Sequence, residues 1–220
     1  MGKFIAIDGL DGSGKGTQTD ILVERLKKEG KKVRVLSFPM YENDSSLFAR
    51  MYLDGKFGSN PSDTNAFAAS MFFACDRYIS YKTDWIKDIE DPDTYVIANR
   101  YSSANAVHQL SKLPYEEWDE FLSWLWDFEF SKLGLPMPDH IVYLEVHPDV
   151  SLSLVRSRSE ETGRKIDIHE NDKDYMFKCY DAALYVSKAL DWVQISCVKD
   201  GKMRTREDVA EEIYKRLFTK

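Results

Sequence analysis

The chain has few cysteines and no long apolar run. Its three cysteines, Cys75, Cys179 and Cys197, are widely spaced and form no Cys-x-x-Cys pair, which argues against a disulfide scaffold and a cysteine-based zinc motif. Because no run of about 18 apolar residues is present, no transmembrane helix is predicted. The first residues show no signal-peptide pattern. We therefore expect a protein of the reducing cytoplasm that acts away from membranes.

The chain also lacks an excess of positive charge. It has 30 Lys and Arg residues against 37 Asp and Glu residues, which gives a formal net charge of -7. Proteins that bind nucleic-acid polymers normally carry a basic surface, so this balance argues against such a partner. Internal repeats, low-complexity tracts and linkers are absent from the sequence. The expected organisation is one domain over residues 1–220.

The most specific motif is a glycine-rich segment near the start of the chain. It follows an apolar run over Phe4–Ile7 and precedes a helical pattern over residues 17–29. This order favours a phosphate-binding loop, in which backbone N–H groups and a helix N-terminus face the anion and Lys15 adds a full charge. The usual pattern has a hydroxyl directly after the lysine, whereas here Gly16 stands there and Thr17 follows. The segment reads Gly9-Leu10-Asp11-Gly12-Ser13-Gly14-Lys15-Gly16-Thr17.

Apolar runs alternate with helical patterns along the rest of the chain. This alternation predicts an α/β protein of the P-loop NTPase fold, with a five-stranded parallel sheet and helices on both faces. Gly30 is expected to end the first helix, and Thr205 to cap the last one. A long helix is predicted to end near Ile89. The five predicted strands are Phe4–Ile7, Val33–Phe38, Tyr95–Ala98, Ile141–Val146 and Val193–Cys197.

Further candidate site residues follow the predicted strands, because ligands of an open parallel sheet bind beyond the carboxyl ends of its strands. Residues 38–41 follow the second strand and residues 99–101 follow the third. Within the latter, Arg100 suits bidentate binding of a phosphate, and the alternative is a salt bridge that packs the loop. Phe73 and Arg77 lie one helical turn apart, which suits a stacked and hydrogen-bonded base. A core phenylalanine beside a helix salt bridge is the alternative there.

Two other segments stand out by composition. Residues 115–130 are dense in aromatic and acidic side chains, and we interpret them as a packed helix, at a subunit contact, in preference to a ligand-binding segment. Residues 156–170 are charged and include Arg156, Arg158, Arg164 and Lys165. Such a run is usually a solvated loop. In a phosphoryl-transfer enzyme it is a lid whose arginines neutralise charge over the polyphosphate.

Together these motifs resemble the thymidylate kinase family of nucleoside-monophosphate kinases. The resemblance extends from Phe4 to about Glu170 and implies the reaction ATP + dTMP → ADP + dTDP, a step of dTTP biosynthesis, with Mg²⁺ as cofactor and a homodimeric assembly. Besides the phosphate loop and the Arg-rich lid over residues 156–170, it rests on the following motifs: Phe38-Pro39-x-Tyr41, Phe73-x-x-x-Arg77, Asn99-Arg100-Tyr101, Asn105 with His108-Gln109, and Pro138-Asp139.

The resemblance implies three groups of site residues. For ATP they are Gly12, Ser13, Gly14, Lys15, Gly16 and Thr17, with Thr17 also at the metal. For dTMP they are Asp11, Pro39, Tyr41, Phe73, Arg77, Arg100, Tyr101, Asn105, His108 and Gln109. The implied catalytic residues are Lys15, Arg100, Arg158 and Arg164.

The same resemblance implies roles for the dTMP residues. Phe73 stacks on thymine while Arg77 and Asn105 bind its polar edge. Arg100 binds the acceptor phosphate, and Asp11 accepts a hydrogen bond from the deoxyribose 3′-hydroxyl. One proline, at position 39, matches a family proline that is often cis.

Two positions depart from the family pattern. Relatives usually have aspartate where Asn99 stands, and that acid helps to hold Mg²⁺ through water. The metal is then left to the ATP phosphates, water, Thr17 and either Asp11 or Asp8. His108 replaces a tyrosine that lies against the sugar and is tied to rejection of the ribose 2′-hydroxyl.

Three other functions are weighed against this one. A deoxynucleoside kinase phosphorylates a neutral 5′-hydroxyl and needs a general base, for which Asp8 is the candidate. Asp11 and Arg100 fit a monophosphate acceptor better. A P-loop nucleotide switch needs a guanine-binding Asn/Thr-Lys-x-Asp segment, and the near match at residues 82–84 lies in a predicted helix. A non-catalytic scaffold would give the arginines of the charged segment no role.

Overall fold

A parallel sheet forms the centre of the protein. The computed structural model describes residues 3–162, 172–199 and 201–219, with only the backbone described for residues 156–162. The strand order is β2-β3-β1-β4-β5, and every neighbouring pair is parallel, which confirms the predicted sheet. The strands are β1 (Lys3–Gly9), β2 (Lys32–Ser37), β3 (Thr94–Asn99), β4 (His140–Glu145) and β5 (Val193–Ser196).

Helices connect the strands. Tyr81–Trp85 and Asp127–Lys132 are π-helical, and a small antiparallel hairpin pairs β6 (Val198–Lys199) with β7 (Lys202–Met203). None of the helices in the described ranges is long and apolar enough to cross a bilayer. The α-helices are α1 (Lys15–Lys28), α2 (Leu47–Leu53), α3 (Ala66–Ser80), α4 (Ile86–Glu90), α5 (Ser102–Leu110), α6 (Trp118–Trp126), α7 (Pro148–Thr162), α8 (Lys173–Ala189) and α9 (Arg206–Phe218).

Successive residues of the central strand β1 pack on opposite faces of the sheet, as the alternation of a strand requires. Ile5 and Ile7 belong to a core cluster that includes side chains of α1 and α9. Phe4 and Ala6 belong to another cluster, with Trp85 and the aromatic residues that follow β2 and β3. Helices therefore cover both faces, as predicted, and the carboxyl edge of the sheet remains available for ligands.

The predicted ends of the first and last helices are close to the observed ones. α1 begins at Lys15, two residues before the predicted start, and Gly30 follows its end with a φ of 76°. The Gly30 N–H donates to the Lys27 carbonyl, as expected of a glycine that ends a helix. At α9, Thr205 accepts a hydrogen bond from the Asp208 amide at 3.1 Å. Both capping predictions are confirmed.

Two predicted segments differ from the structure. The loop expected over residues 156–170 is wrong at its start, because α7 continues to Thr162. The residues before Gly163 are mainly Ser, Arg, Glu and Thr with no proline or glycine, so nothing in them stops a helix. The helix expected to reach Ile89 is interrupted by the π-helical turn Tyr81–Trp85 between α3 and α4.

Candidate active site

A cavity of about 610 Å³ opens at the carboxyl ends of β1, β2 and β3. This is the sheet edge at which a ligand is expected. The predicted ATP residues that line it are Gly12, Gly14, Lys15, Gly16 and Thr17. All the predicted dTMP residues line it as well: Asp11, Pro39, Tyr41, Phe73, Arg77, Arg100, Tyr101, Asn105, His108 and Gln109.

The phosphate loop depends on glycine where its backbone turns. Gly12 has a φ of 81°, and a Cβ atom there would lie 2.8 Å from the Ser151 carbonyl oxygen. Gly14 has a φ of 89° and precedes α1. At Gly14 and Gly16 a Cβ would meet no atom within 4 Å, so the loop presents bare backbone to the cavity. Ser13 is buried and is absent from the cavity lining, unlike its predicted neighbours.

Lys15 is the charged group of the loop, and its ammonium lies against the loop itself. Its Nζ donates to the carbonyl oxygens of Gly9 and Leu10, both at 2.8 Å, and lies 3.7 Å from Asp11 Oδ1. Burial and the nearby Arg100 guanidinium lower the pKa of Lys15 to about 8. The Asp11 carboxylate acts to raise this pKa, but it offsets the shift only in part. The ammonium is therefore held at the mouth of the loop.

Arg100 links the loop to the other end of the cavity. It follows β3 with a φ of 67°, an uncommon value for a residue with a side chain, and strain of this kind concentrates at functional sites. Its Nη2 donates to Asp11 Oδ1 at 2.5 Å, and its Nη1 lies 3.2 Å from His108 Nε2. Burial raises the pKa of Asp11, but Arg100 and Lys15 outweigh it and hold that pKa well below its usual range. Asp11 is therefore a carboxylate.

Near the loop the cavity is lined by four residues with oxygen-bearing side chains, Asp11, Thr17, Asp20 and Asn99. Thr17 lines the cavity, and Asn99 Oδ1 is buried without a hydrogen-bond partner among the described residues. Those residues contain no cluster of three or more His, Cys, Asp or Glu side chains that could hold a metal. Such a donor set fits Mg²⁺ that arrives on a polyphosphate, because this ion keeps its waters and needs only one or two protein oxygens.

The segment after β2 is shaped by a proline and a buried acid. The Phe38–Pro39 peptide bond is cis, which confirms the family expectation. Asp76 on α3 accepts hydrogen bonds from the Met40 amide at 2.8 Å and from Ser45 Oγ at 2.6 Å. Asp76 thus ties the wall after β2 to the helix that carries Arg77. The sequence analysis gave this residue no role.

Phe73 and Arg77 lie one turn apart on α3 and both line the cavity, as predicted. Arg77 is only 1% exposed. Its Nε and Nη2 donate to the two carboxylate oxygens of Glu129, at 2.8 and 2.6 Å. The structure therefore combines the two alternatives raised from the sequence, because Arg77 forms a buried salt bridge and also borders the cavity.

Glu129 is another residue of the site that the sequence analysis missed. It is fully buried in the π-helical segment after α6, and it also accepts hydrogen bonds from Asn105 Nδ2 at 2.9 Å and from Ser102 Oγ. The packed-helix interpretation of residues 115–130 holds for the apolar side chains Phe121 and Leu125, but not for this acid. An acid within an aromatic-rich stretch was the available signal.

The remaining predicted residues differ in their surroundings. Tyr101 is buried and donates to the Pro136 carbonyl at 3.0 Å. His108 Nδ1 lies 3.5 Å from Cys179 Sγ, so the ring sits between Arg100 and α8. Gln109 is buried, and neither its side-chain Nε2 nor its Oε1 has a hydrogen-bond partner among the described residues.

The predicted lid is described only at its start. Arg158 lies in the last part of α7, where the backbone alone is described, and Arg164 lies outside the described residues. Asp8, the candidate base of the alternative kinase, is buried and does not line the cavity. Its carboxylate accepts hydrogen bonds from the Gly9 amide and from Ser103 Oγ.

Comparison with known proteins gives a consistent result. Residues 7–196 match the family model described as thymidylate kinase. The thymidylate kinase of Mycobacterium tuberculosis is 31% identical over 173 residues, which cover 78% of this chain and 79% of that protein. The thymidylate kinase of Plasmodium falciparum is 26% identical over 219 residues, covering 98% and 90% respectively.

A solved structure of thymidylate kinase from Candida albicans matches with a TM-score of 0.69 and 20% identity, over 99% of this chain and 92% of that one. This likeness concerns the fold, and it confirms the predicted P-loop NTPase architecture. The family match and the mycobacterial relative together show that the chain belongs to the thymidylate kinase family.

Proposed function

We propose which part of the cavity binds each substrate of the family reaction, the transfer of a phosphoryl group from ATP to dTMP to give ADP and dTDP. The observation that carries the proposal is the single cavity that joins a glycine loop at one end to an aromatic and hydrogen-bonding pocket at the other. ATP phosphates bind at Gly12–Thr17, and the base of dTMP binds near Phe73. Arg100 lies between them, where the acceptor phosphate belongs.

Positioning and charge neutralisation drive this transfer, because the acceptor phosphate is already an anion at neutral pH. Arg100 stays protonated beside Asp11 and supplies a planar guanidinium for that phosphate. Lys15 supplies the charge at the ATP phosphates. Asp8 is not needed as a base. Its carboxylate already accepts two hydrogen bonds and does not line the cavity, which supports a monophosphate acceptor over a nucleoside.

The family uses ATP, and such kinases work with a divalent metal, for which we propose Mg²⁺. When bound, this ion neutralises charge on the transferring phosphates. The Thr17 hydroxyl is the protein ligand we assign to it, and Asn99, whose buried Oδ1 has no partner among the described residues, lines the same cavity. Arg158 and Arg164 are proposed to add positive charge from the lid segment.

We further propose a homodimer that forms through α3. Phe67, Met71 and Ile79 along this helix are large apolar side chains that are each more than two-fifths exposed. Sedimentation velocity should give a dimer for the natural chain and a monomer for Met71→Glu, whereas a monomeric natural chain contradicts the proposal.

Three free cysteines support a reducing compartment such as the cytoplasm.

An ADP-release assay against a panel of acceptors tests the proposed function. The expected result is turnover of dTMP, slower turnover of purine deoxynucleotides, and no turnover of thymidine. Faster release with thymidine than with dTMP would point to the deoxynucleoside kinase. A preference for adenylate or guanylate would contradict the pyrimidine pocket.

A further inference from the structure

Glu129 holds four hydrogen bonds in the pocket assigned to the base. Its Oε1 accepts from Arg77 Nη2 and Asn105 Nδ2, and its Oε2 accepts from Arg77 Nε and Ser102 Oγ. A carboxylate has about four lone-pair positions for such bonds, so its capacity is filled by the protein. A substrate therefore does not need to contact Glu129. Its effect reaches the cavity through the residues that it holds.

The first of these residues is Asn105, whose amide orientation is set by Glu129 together with the Ser70 carbonyl oxygen. Nδ2 donates to Glu129 Oε1 at 2.9 Å and to the Ser70 carbonyl oxygen at 3.1 Å. Both partners can only accept hydrogen bonds, so the amide nitrogen must face them. The remaining polar atom of the side chain is Oδ1, which forms no hydrogen bond with the described residues. Since Asn105 lines the cavity, the group left for a ligand is an acceptor.

The second residue is Arg77, whose guanidinium is used in part by the same carboxylate. Nε and Nη2 are bound to Glu129, whereas Nη1 forms no hydrogen bond with any side chain or backbone group in the described part of the chain. Arg77 also lines the cavity. Because a guanidinium nitrogen only donates, the group left for a ligand here is a donor.

We propose that Glu129 is a positioning residue that sets the hydrogen-bond polarity of the base pocket and selects 4-keto pyrimidines. Thymine presents an acceptor at O4 next to a donor at N3–H, which complements the Arg77 donor and the Asn105 acceptor. Cytosine presents the reverse pattern, with a 4-amino donor next to an N3 acceptor. Uracil has the same edge as thymine, so dUMP should be accepted with dTMP. This inference rests on the proposed location of the base in the cavity.

Glu129→Gln tests the proposal because it keeps the shape and adds a donor to a group that must only accept. Asn105 then loses one of the two acceptors that hold its nitrogen, and only the Ser70 carbonyl oxygen still opposes a turn of its nitrogen toward the base. We expect the ratio of kcat/KM for dTMP to that for dCMP to fall roughly 10–100-fold. The ratio of dTMP to dUMP and the KM for ATP should stay within about twofold.

Two variants distinguish positioning from a general loss of structure. Glu129→Asp retains an acceptor-only carboxylate, so it should lower kcat/KM for both pyrimidines and preserve most of the dTMP to dCMP ratio. Asp127→Asn removes a charge from the same π-helical segment, where Asp127 is exposed and pairs only with Lys132 among the described residues. It should behave as the natural chain.

The outcomes distinguish the role of Glu129 from the proposed location of the base in the cavity. An unchanged dTMP to dCMP ratio in Glu129→Gln, or an equal loss of that ratio in Glu129→Asp, would overturn the role of Glu129. A natural chain that does not prefer dTMP to dCMP would instead overturn the proposed base pocket. If Glu129→Gln does not fold, Ser102→Ala removes one of the four hydrogen bonds and leaves the ion pair intact. Because the Glu129 carboxylate still only accepts from Arg77 and Asn105, the dTMP to dCMP ratio should stay within about twofold, and a loss of about tenfold or more in that ratio overturns the proposal.

Discussion

The two ends of the cavity hold their ligand-facing groups by different means. The phosphate end uses backbone, with left-handed glycines at Gly12 and Gly14 and the N-terminus of α1. The base end uses side chains of three helical segments, α3, α5 and the segment after α6, which Glu129 joins through buried hydrogen bonds. One end is built from consecutive residues and the other from residues far apart in the chain.

This difference explains what each end can recognise. Backbone N–H groups and a helix N-terminus attract any phosphate, so we assign to the loop end a group common to all nucleotides. A fixed pattern of one donor and one acceptor distinguishes bases, so we propose that the other end sets which nucleotide is accepted. Ser102 and Ser103 connect the two, since one binds Glu129 and its neighbour binds Asp8.

The largest expected effect is at Arg100, which lies between the two ends. Arg100→Ala should lower kcat/KM for dTMP by about 10³-fold, because it removes the guanidinium assigned to the acceptor phosphate, and arginines of phosphoryl-transfer sites contribute at that scale. Steady-state kinetics at saturating ATP measures it. If the variant retains the natural kcat/KM, the phosphate assignment of Arg100 is wrong and its salt bridge to Asp11 only packs the loop.

Phe73→Ala should separate the base end from the phosphate end. Loss of stacking on the base should raise the KM for dTMP by roughly 10–100-fold, since a base stacked on an aromatic ring is worth about 1–3 kcal/mol. The KM for ATP should change less than about threefold. Equal changes in the two constants would show that the two ends are not independent, and the comparison above would fail.

The pH dependence should depend on which complex is titrated. In the free enzyme the pKa of Lys15 is about 8, so its ammonium loses the proton as the pH rises above that value. The kcat/KM for ATP should then fall by up to about tenfold per pH unit above pH 8. At saturating ATP the bound phosphates favour the ammonium form of Lys15, so the fall in kcat should begin at a higher pH than the fall in kcat/KM. A kcat/KM that is flat to pH 10 would contradict this.

The smallest expected effects concern the shape of the loop. Gly12→Ala introduces a side chain at a φ of 81° and within 2.8 Å of a carbonyl oxygen, so the free energy of unfolding should fall by about 1–3 kcal/mol. Gly16→Ala is the matched control, because its Cβ meets no atom within 4 Å. Urea denaturation should show the control unchanged or slightly stabilised, by about 0.5 kcal/mol. Equal losses of unfolding free energy in both variants would show that the loop does not depend on a glycine at position 12.

The same contrast explains how much could be predicted from the sequence. The loop, the five strands and the strand ends at Pro39 and Arg100 were found because each is a local pattern of consecutive residues. Glu129 was missed because its partners lie 24, 27 and 52 residues away, and only the folded chain brings them together. The continuation of α7 to Thr162 was missed because its charged residues fit a helix as well as a loop.

A structure of the protein with dTMP and a non-hydrolysable ATP analogue tests the central claim most directly. We expect thymine O4 within about 3.2 Å of Arg77 Nη1 and thymine N3 within about 3.2 Å of Asn105 Oδ1. Asn105 Nδ2 should still face Glu129, and the dTMP phosphate should contact Arg100. A base bound away from Arg77 and Asn105, or an Asn105 amide whose nitrogen faces thymine, would contradict the account.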